Sequence, residues 1–323
     1  MKGSYRYTDV PEWKDESLYD VQREKMLDFL TKLPDVLSVY QVGSVGIPGI
    51  SDLDLVVIFR NGCKSLKQPL DILDDEGRYV FIHNLYACSE SYFREAVRYS
   101  IFSPYYCLWG RHILDEETLS SPVAEEIGFQ IALEFLVQMF VNAAHTREFR
   151  LIKVRSLLLH AKGVKFDLKI LGDEQCNLGI VTNKLIAHRE NWFSNTSQKK
   201  DTAALFEEFY SALKQYLELK LLICPMYLPG KSAYNISKRV KLVKSDKLAY
   251  SRKGIVFPSV LSSRSDYMKK VQNRLNSFEV YCPFRSDGYG NVLKEYFDFH
   301  EKYRKYNRIH LPHYYTLSSS LKA

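Results

Sequence analysis

Two β-branched and aromatic runs, LSVYQVGS at 37–44 and LDLVVIF at 53–59, flank a short loop containing Gly46, Pro48 and Gly49, and two aspartates stand where the second run begins. No other feature constrains the fold of this chain as tightly. The first run reads as a buried strand meeting a turn at Gly43 and Ser44; the second reads as a strand bounded by Arg60, Asn61 and Gly62. Asp52 and Asp54, at i and i+2 on extended chain, point to the same side. Like charges so placed repel unless a cation sits between them. Hard oxygen ligands at that spacing suit Mg²⁺ (or Mn²⁺), completed by water and phosphate oxygens. Upstream, Gly43 and Ser44 can offer backbone N–H groups and a hydroxyl to an anion. A phosphate cradle followed by a metal-binding carboxylate pair is what metal-assisted chemistry on a nucleoside triphosphate needs.

The surrounding pattern is α+β. Leu18, Met26, Phe29, Leu30 and Leu33 fall on one helical face in a segment ending before Pro34. After the two strands, YVFIHNLYAC (79–88) reads as a third strand, 90–99 as a short helix and CLWGRHIL as a fourth strand. From 122 the period changes. An apolar helix is expected at 122–146, a basic one at 147–162 stopped by Gly163, and two more at 175–192 and 202–224, separated by a polar NTSQKKD linker. The rest mixes alternating segments (RVKLVKS, KGIVFPSVL, FEVYCPF) with helices near 266–277 and 291–307. The expected organisation is an N-terminal arm and helix at 1–35, a mixed-sheet core at 36–118, a helical domain at 119–228 and a small basic, aromatic-rich α/β module at 229–323.

The G-S-x7-D-x-D-hydrophobic arrangement, with a helix before the first strand, resembles the signature of the DNA polymerase beta-type nucleotidyltransferase superfamily. CLWGRHILDEE resembles the glycine turn that closes the core of its minimal members. The resemblance covers about residues 20–118. It implies Mg²⁺-dependent transfer of a nucleoside monophosphate from an NTP to an acceptor (RNA, protein or small molecule), with Gly43 and Ser44 on the triphosphate and Asp52 and Asp54 on the metal. It also implies a third carboxylate on the next strand, completing a two-metal site. The spacing puts Asn84 there, with His83 its neighbour, and neither is an acid. Asp71, Asp74, Asp75 or Glu76 could substitute from the preceding loop. The departure leaves open a nucleotide- or RNA-binding relative with impaired catalysis.

Gln130, Glu134, Gln138 and Asn142 form a polar stripe on the apolar helix, which reads as its wet side. In related enzymes a helical domain facing the cleft can supply a general base, which makes Glu134 a candidate. Arg155 and His160 fit the R-x4-H pattern of HEPN-type ribonucleases, helical domains often partnered with minimal nucleotidyltransferases.

Charge bears on the acceptor. From 229 onward there are 19 Lys/Arg against 7 Asp/Glu, whereas the first 228 residues hold 26 against 31. A basic terminal segment with Tyr234, Tyr250, Tyr267, Tyr281, Phe284, Tyr289, Tyr303 and Tyr306 suits nucleic acid or another polyanion, although many such aromatics must also build a core. Six scattered cysteines without a CxxC pair read as reduced thiols. The polar first residues show no secretory signal, and the apolar stretch 128–144, interrupted by four polar side chains, reads as too short to span a bilayer. The expectation is a cytoplasmic protein without a membrane partner.

Overall fold

The computed structural model describes residues 4–100, 102, 104–194, 201–230, 232–255, 271 and 274–317. In chain order its elements begin with β1 (Arg6–Thr8), α1 (Glu16–Thr31), β2 (Val36–Val42), β3 (Asp54–Phe59), α2 (Asp75–Val80), β4 (Tyr86–Ser89), α3 (Glu90–Ala96), β5 (Tyr105–Gly110) and α4 (Glu116–Ser120). The helices α5 (Glu125–Phe149), α6 (Val154–Ile170), α7 (Asn177–Glu190) and α8 (Thr202–Ile223) follow, with β6 (Leu151–Lys153) ahead of α6. Last come β7 (Met226–Tyr227), β8 (Ala233–Asn235), β9 (Val240–Lys244), β10 (Ala249–Gly254), β11 (Asn276–Cys282), β12 (Phe284–Arg285) and α9 (Asn291–His310). The fold is α+β with mixed sheets. The chain divides into two compact units, one of 11–131 with 291–317, the other of 4–10 with 132–290.

The first unit is a four-stranded sheet of order β5-β2-β3-β4. β2 runs antiparallel to β3 and β5, and β3 runs parallel to β4. Because strand side chains alternate, Leu55, Val57 and Phe59 of β3 join Val39 of β2 on one face. That face is covered by Tyr19, Met26 and Leu30 of α1, spaced seven and four apart on one helical stripe. Each such fully buried side chain contributes about 1.5–3 kcal/mol of transfer free energy. α1 starts at Asp15, whose carboxylate accepts from the Ser17 amide. On the opposite face Tyr40 packs against Phe93 of α3 with ring centroids 5.2 Å apart.

The C-terminal helix belongs to this sheet. Tyr303 and Asn307 of α9 both donate to the Ala87 carbonyl, at 2.7 and 2.8 Å. The segment after α9 then lies beside β4. The Tyr315 amide donates to the Leu85 carbonyl and the Ala87 amide to the Tyr315 carbonyl, at 2.8 and 2.9 Å. The segment expected as one module at 229–323 is thus shared between the units. Fully buried Leu311, Leu317, Tyr296 and Tyr303 give 291–317 its place in the sheet unit.

The second unit carries α6, α7 and α8 and a four-stranded sheet of order β10-β11-β9-β8. Phe278, Val280 and Cys282 of β11 face inward, with Glu279 and Tyr281 turned the other way. β1 pairs with β6 in parallel. Two helical expectations need correction. Gly163 does not stop the basic helix: α6 runs through it, because a Cβ there would come 2.9 Å from the Phe135 ring and only glycine permits that approach. The polar stripe on α5 is not a wet side throughout, since Gln130 and Glu134 are 2% and 1% exposed. α5 has the expected length but lies three residues further along than 122–146. At 25 residues it passes the length and apolarity test for a bilayer span, yet 78% of its most apolar window is buried within the protein, as in a core helix. The NTSQKKD linker, apart from Asp201, the 266–277 helix, for the most part, and Tyr267 lie outside the described residues. The six cysteines are free thiols.

Candidate metal centre

The loop between β2 and β3 is strapped from inside. Gly43 turns the chain with φ 69°, and its amide donates to the Pro104 carbonyl at 3.0 Å. The Ser51 hydroxyl accepts from the Gly46 and Ile47 amides at 3.1 and 3.0 Å. Tyr19, buried on α1, donates to the Ser51 carbonyl (2.7 Å) and accepts from the Gly49 amide (2.9 Å). Tyr79 of α2 donates to the Gly49 carbonyl at 2.6 Å. The amides of Gly43, Gly46, Ile47 and Gly49 are therefore committed inside the protein. Gly43 shapes the turn by its left-handed backbone, and Ser44 beside it is exposed.

Just past this loop, Asp52 and Asp54 converge on a third residue, His83. One ligand atom from each lies within 4.8 Å of the others, the one such group among the described residues. His83 Nε2 stands 2.9 Å from Asp54 Oδ1 and 3.9 Å from Asp52 Oδ2. The three side chains are 14–26% exposed, shielded but reachable from solvent. His83 Nδ1 lies 2.8 Å from the Asn84 carbonyl, which can only accept, so Nδ1 carries the proton. The imidazole stacks on Tyr315 (5.7 Å, 21°) and meets the Tyr86 ring at 5.4 Å. Burial alone would push the His83 pKa down. Contact with Asp54, the Asn84 carbonyl and the Asp52 charge more than reverse this and take it up to about 9. Burial and the same two carboxylates hold the Tyr86 hydroxyl well above its ordinary range.

Asp54 Oδ1 remains buried without a properly directed hydrogen-bond donor, despite the short approach of Nε2. A buried, unsatisfied anionic oxygen is costly. Two carboxylates and an imidazole are a sound donor set for one divalent cation. They are not a three-carboxylate, two-metal set, because among the described residues no third acid joins the group.

Asn84 takes its place through its backbone carbonyl, holding His83. The alternative acids are employed elsewhere: Asp74 caps α2 by accepting from the Gly77 amide and pairs with Lys25, while Asp75 and Glu76 occupy the exposed first turn of α2 and Asp71 a short 3₁₀ turn. Glu134 lies buried in the other unit, outside the group. Arg155 is 2% exposed, and His160 Nδ1 is held by the Ser156 carbonyl at 2.6 Å. Pattern reading named His83 only as the neighbour of Asn84 and did not find Tyr315. The expected strand at 79–88 is helix to Val80 and strand only from Tyr86, so alternation does not decide which of residues 81–85 faces the aspartates. No protein-family model, curated protein or solved structure matches this chain.

Proposed function

We propose that this protein is a divalent-cation-dependent nucleotidyltransferase, moving a nucleoside monophosphate from an NTP to an acceptor with release of pyrophosphate. The observation that carries the reading is the convergence of Asp52 and Asp54 beside a glycine-turned loop at one end of a mixed β5-β2-β3-β4 sheet. This arrangement agrees with the nucleotidyltransferase resemblance of residues 20–118. Ser44 meets the phosphates at the turn, and Asp52 and Asp54 hold the cation. The bound cation supplies charge neutralisation on the triphosphate. The acceptor hydroxyl bonds to the α-phosphorus and loses its proton to solvent, while the α–β anhydride bond breaks and pyrophosphate leaves with the electron pair. Mixed basic and aromatic residues of 229–290 favour a polyanionic acceptor.

The test is incubation with each α-labelled NTP, Mg²⁺ or Mn²⁺, and RNA, protein or small-molecule extract. Label should pass to one acceptor class, and Asp54→Asn should lose both NTP binding and transfer. Unchanged NTP affinity in Asp54→Asn would sink the assignment. A second reading, nucleotide binding without turnover, rests on the missing third carboxylate; binding without transfer to any acceptor would select it.

A further inference from the structure

Carboxylate oxygen and imidazole nitrogen do not rank divalent cations alike. Oxygen donors suit Mg²⁺, which keeps much of its water, whereas an imidazole raises affinity along the series from Mn²⁺ towards Zn²⁺. We propose that Asp52, Asp54 and His83 form a mononuclear site that selects a first-row transition dication over Mg²⁺, with His83 Nε2 as the discriminating ligand. The inference shares the aspartate pair with the nucleotidyl-transfer reading but does not depend on any nucleotide.

Four features support it. Ligand atoms bonded to one ion at about 2.1 Å stand roughly 3–4 Å apart, and the Nε2 separations of 2.9 and 3.9 Å fit that span. The Asn84 carbonyl holds Nδ1–H, the outer partner of a metal-binding tautomer, so a cation that displaces the Nε2 proton meets a nitrogen already facing the aspartates. Stacking against Tyr315 limits rotation of the ring. Finally, Asp54 Oδ1 is buried with the His83 Nε2 approach at 2.9 Å beside it, an oxygen that a cation shared with Nε2 would satisfy.

Chelator-treated full-length protein is titrated with MnCl₂ by electron paramagnetic resonance and with CoCl₂ by visible absorption, then challenged with MgCl₂. One equivalent of Mn²⁺ or Co²⁺ should bind, with Mg²⁺ displacing it only at concentrations at least about tenfold higher. His83→Ala should weaken Mn²⁺ and Co²⁺ by at least about tenfold and leave Mg²⁺ nearly unchanged. His83→Asp should turn the preference towards Mg²⁺, while Asn84→Ala should not alter it. Circular dichroism checks that each variant is folded. Equal competition by Mg²⁺, unchanged Mn²⁺ affinity in folded His83→Ala, or no cation binding by wild type would overturn the proposal. Asp54-dependent Mg²⁺–NTP binding without a transition-metal preference defeats this inference and spares the transferase. A His83-dependent Mn²⁺ site with no NTP binding does the reverse.

Discussion

At the scale of single residues, two histidines in one unit show how surroundings decide charge. His83 faces two aspartates, which favour its protonated form and raise its pKa to about 9. His300 on α9 is 3% exposed, ringed by Tyr99, Tyr296 and Phe299, with neither ring nitrogen hydrogen-bonded. Burial, with a like-charge push from Arg304, takes its pKa down to about 3. An unfolded histidine titrates near about 6.5, so the unfolded chain binds this proton first. The stability tied to neutral His300 is complete above that pH and declines as pH falls towards 3. His300→Phe should therefore flatten the fall in urea midpoint between pH 7 and pH 4.5; an identical slope in the variant would refute the assignment. Tyr315 gives a second residue-scale expectation. It is 36% exposed, so Tyr315→Ala should shift the melting temperature little, yet loosen the His83 ring and weaken Mn²⁺ several-fold. Tyr315→Phe keeps the stack and should bind as wild type does.

Elements were legible to different degrees. α1, β2 and β3 emerge from period and β-branching because their burial patterns are set within their own few residues. α6 shows the opposite case. Gly163 carries a stop signal in sequence, but the Phe135 ring against it makes the position one of close packing. Gly163→Ala would gain about 1 kcal/mol of helix propensity and meet overpacking of about 1–3 kcal/mol. Net destabilisation by roughly 1 kcal/mol is expected in urea unfolding, with recovery in Gly163→Ala/Phe135→Leu. A single variant more stable than wild type would show that the ring yields freely. β4 is the third case: its late start lets 81–85 leave the strand register and present His83.

At the scale of the whole molecule, the basic surplus does not form one module. Residues 229–290 hold 13 Lys/Arg against 4 Asp/Glu, and 291–323 hold 6 against 3. Lys241 and Lys244 are exposed on β9, in the more basic share. Single-stranded RNA binding should weaken steeply with salt. Lys241→Glu/Lys244→Glu should weaken it further and lower the salt slope by about 0.7 per lost phosphate contact. Salt-independent binding would exclude the backbone-charge account.

The stretch 37–59 determined by itself that two strands meet at a turn with a paired carboxylate. Strand propensity, glycine and short-range like charge are local properties, readable within these 23 residues. What only the tertiary structure decided is the company this pair keeps. The Tyr19 and Tyr79 hydroxyls strap the loop, His83 comes from an irregular segment, and Tyr315 arrives from more than 200 residues away, held by two backbone hydrogen bonds beside β4. The third donor and its support are contacts between distant segments. Such contacts form only once α1 packs on the sheet and α9 docks along β4 to bring those segments together, and no local periodicity encodes them.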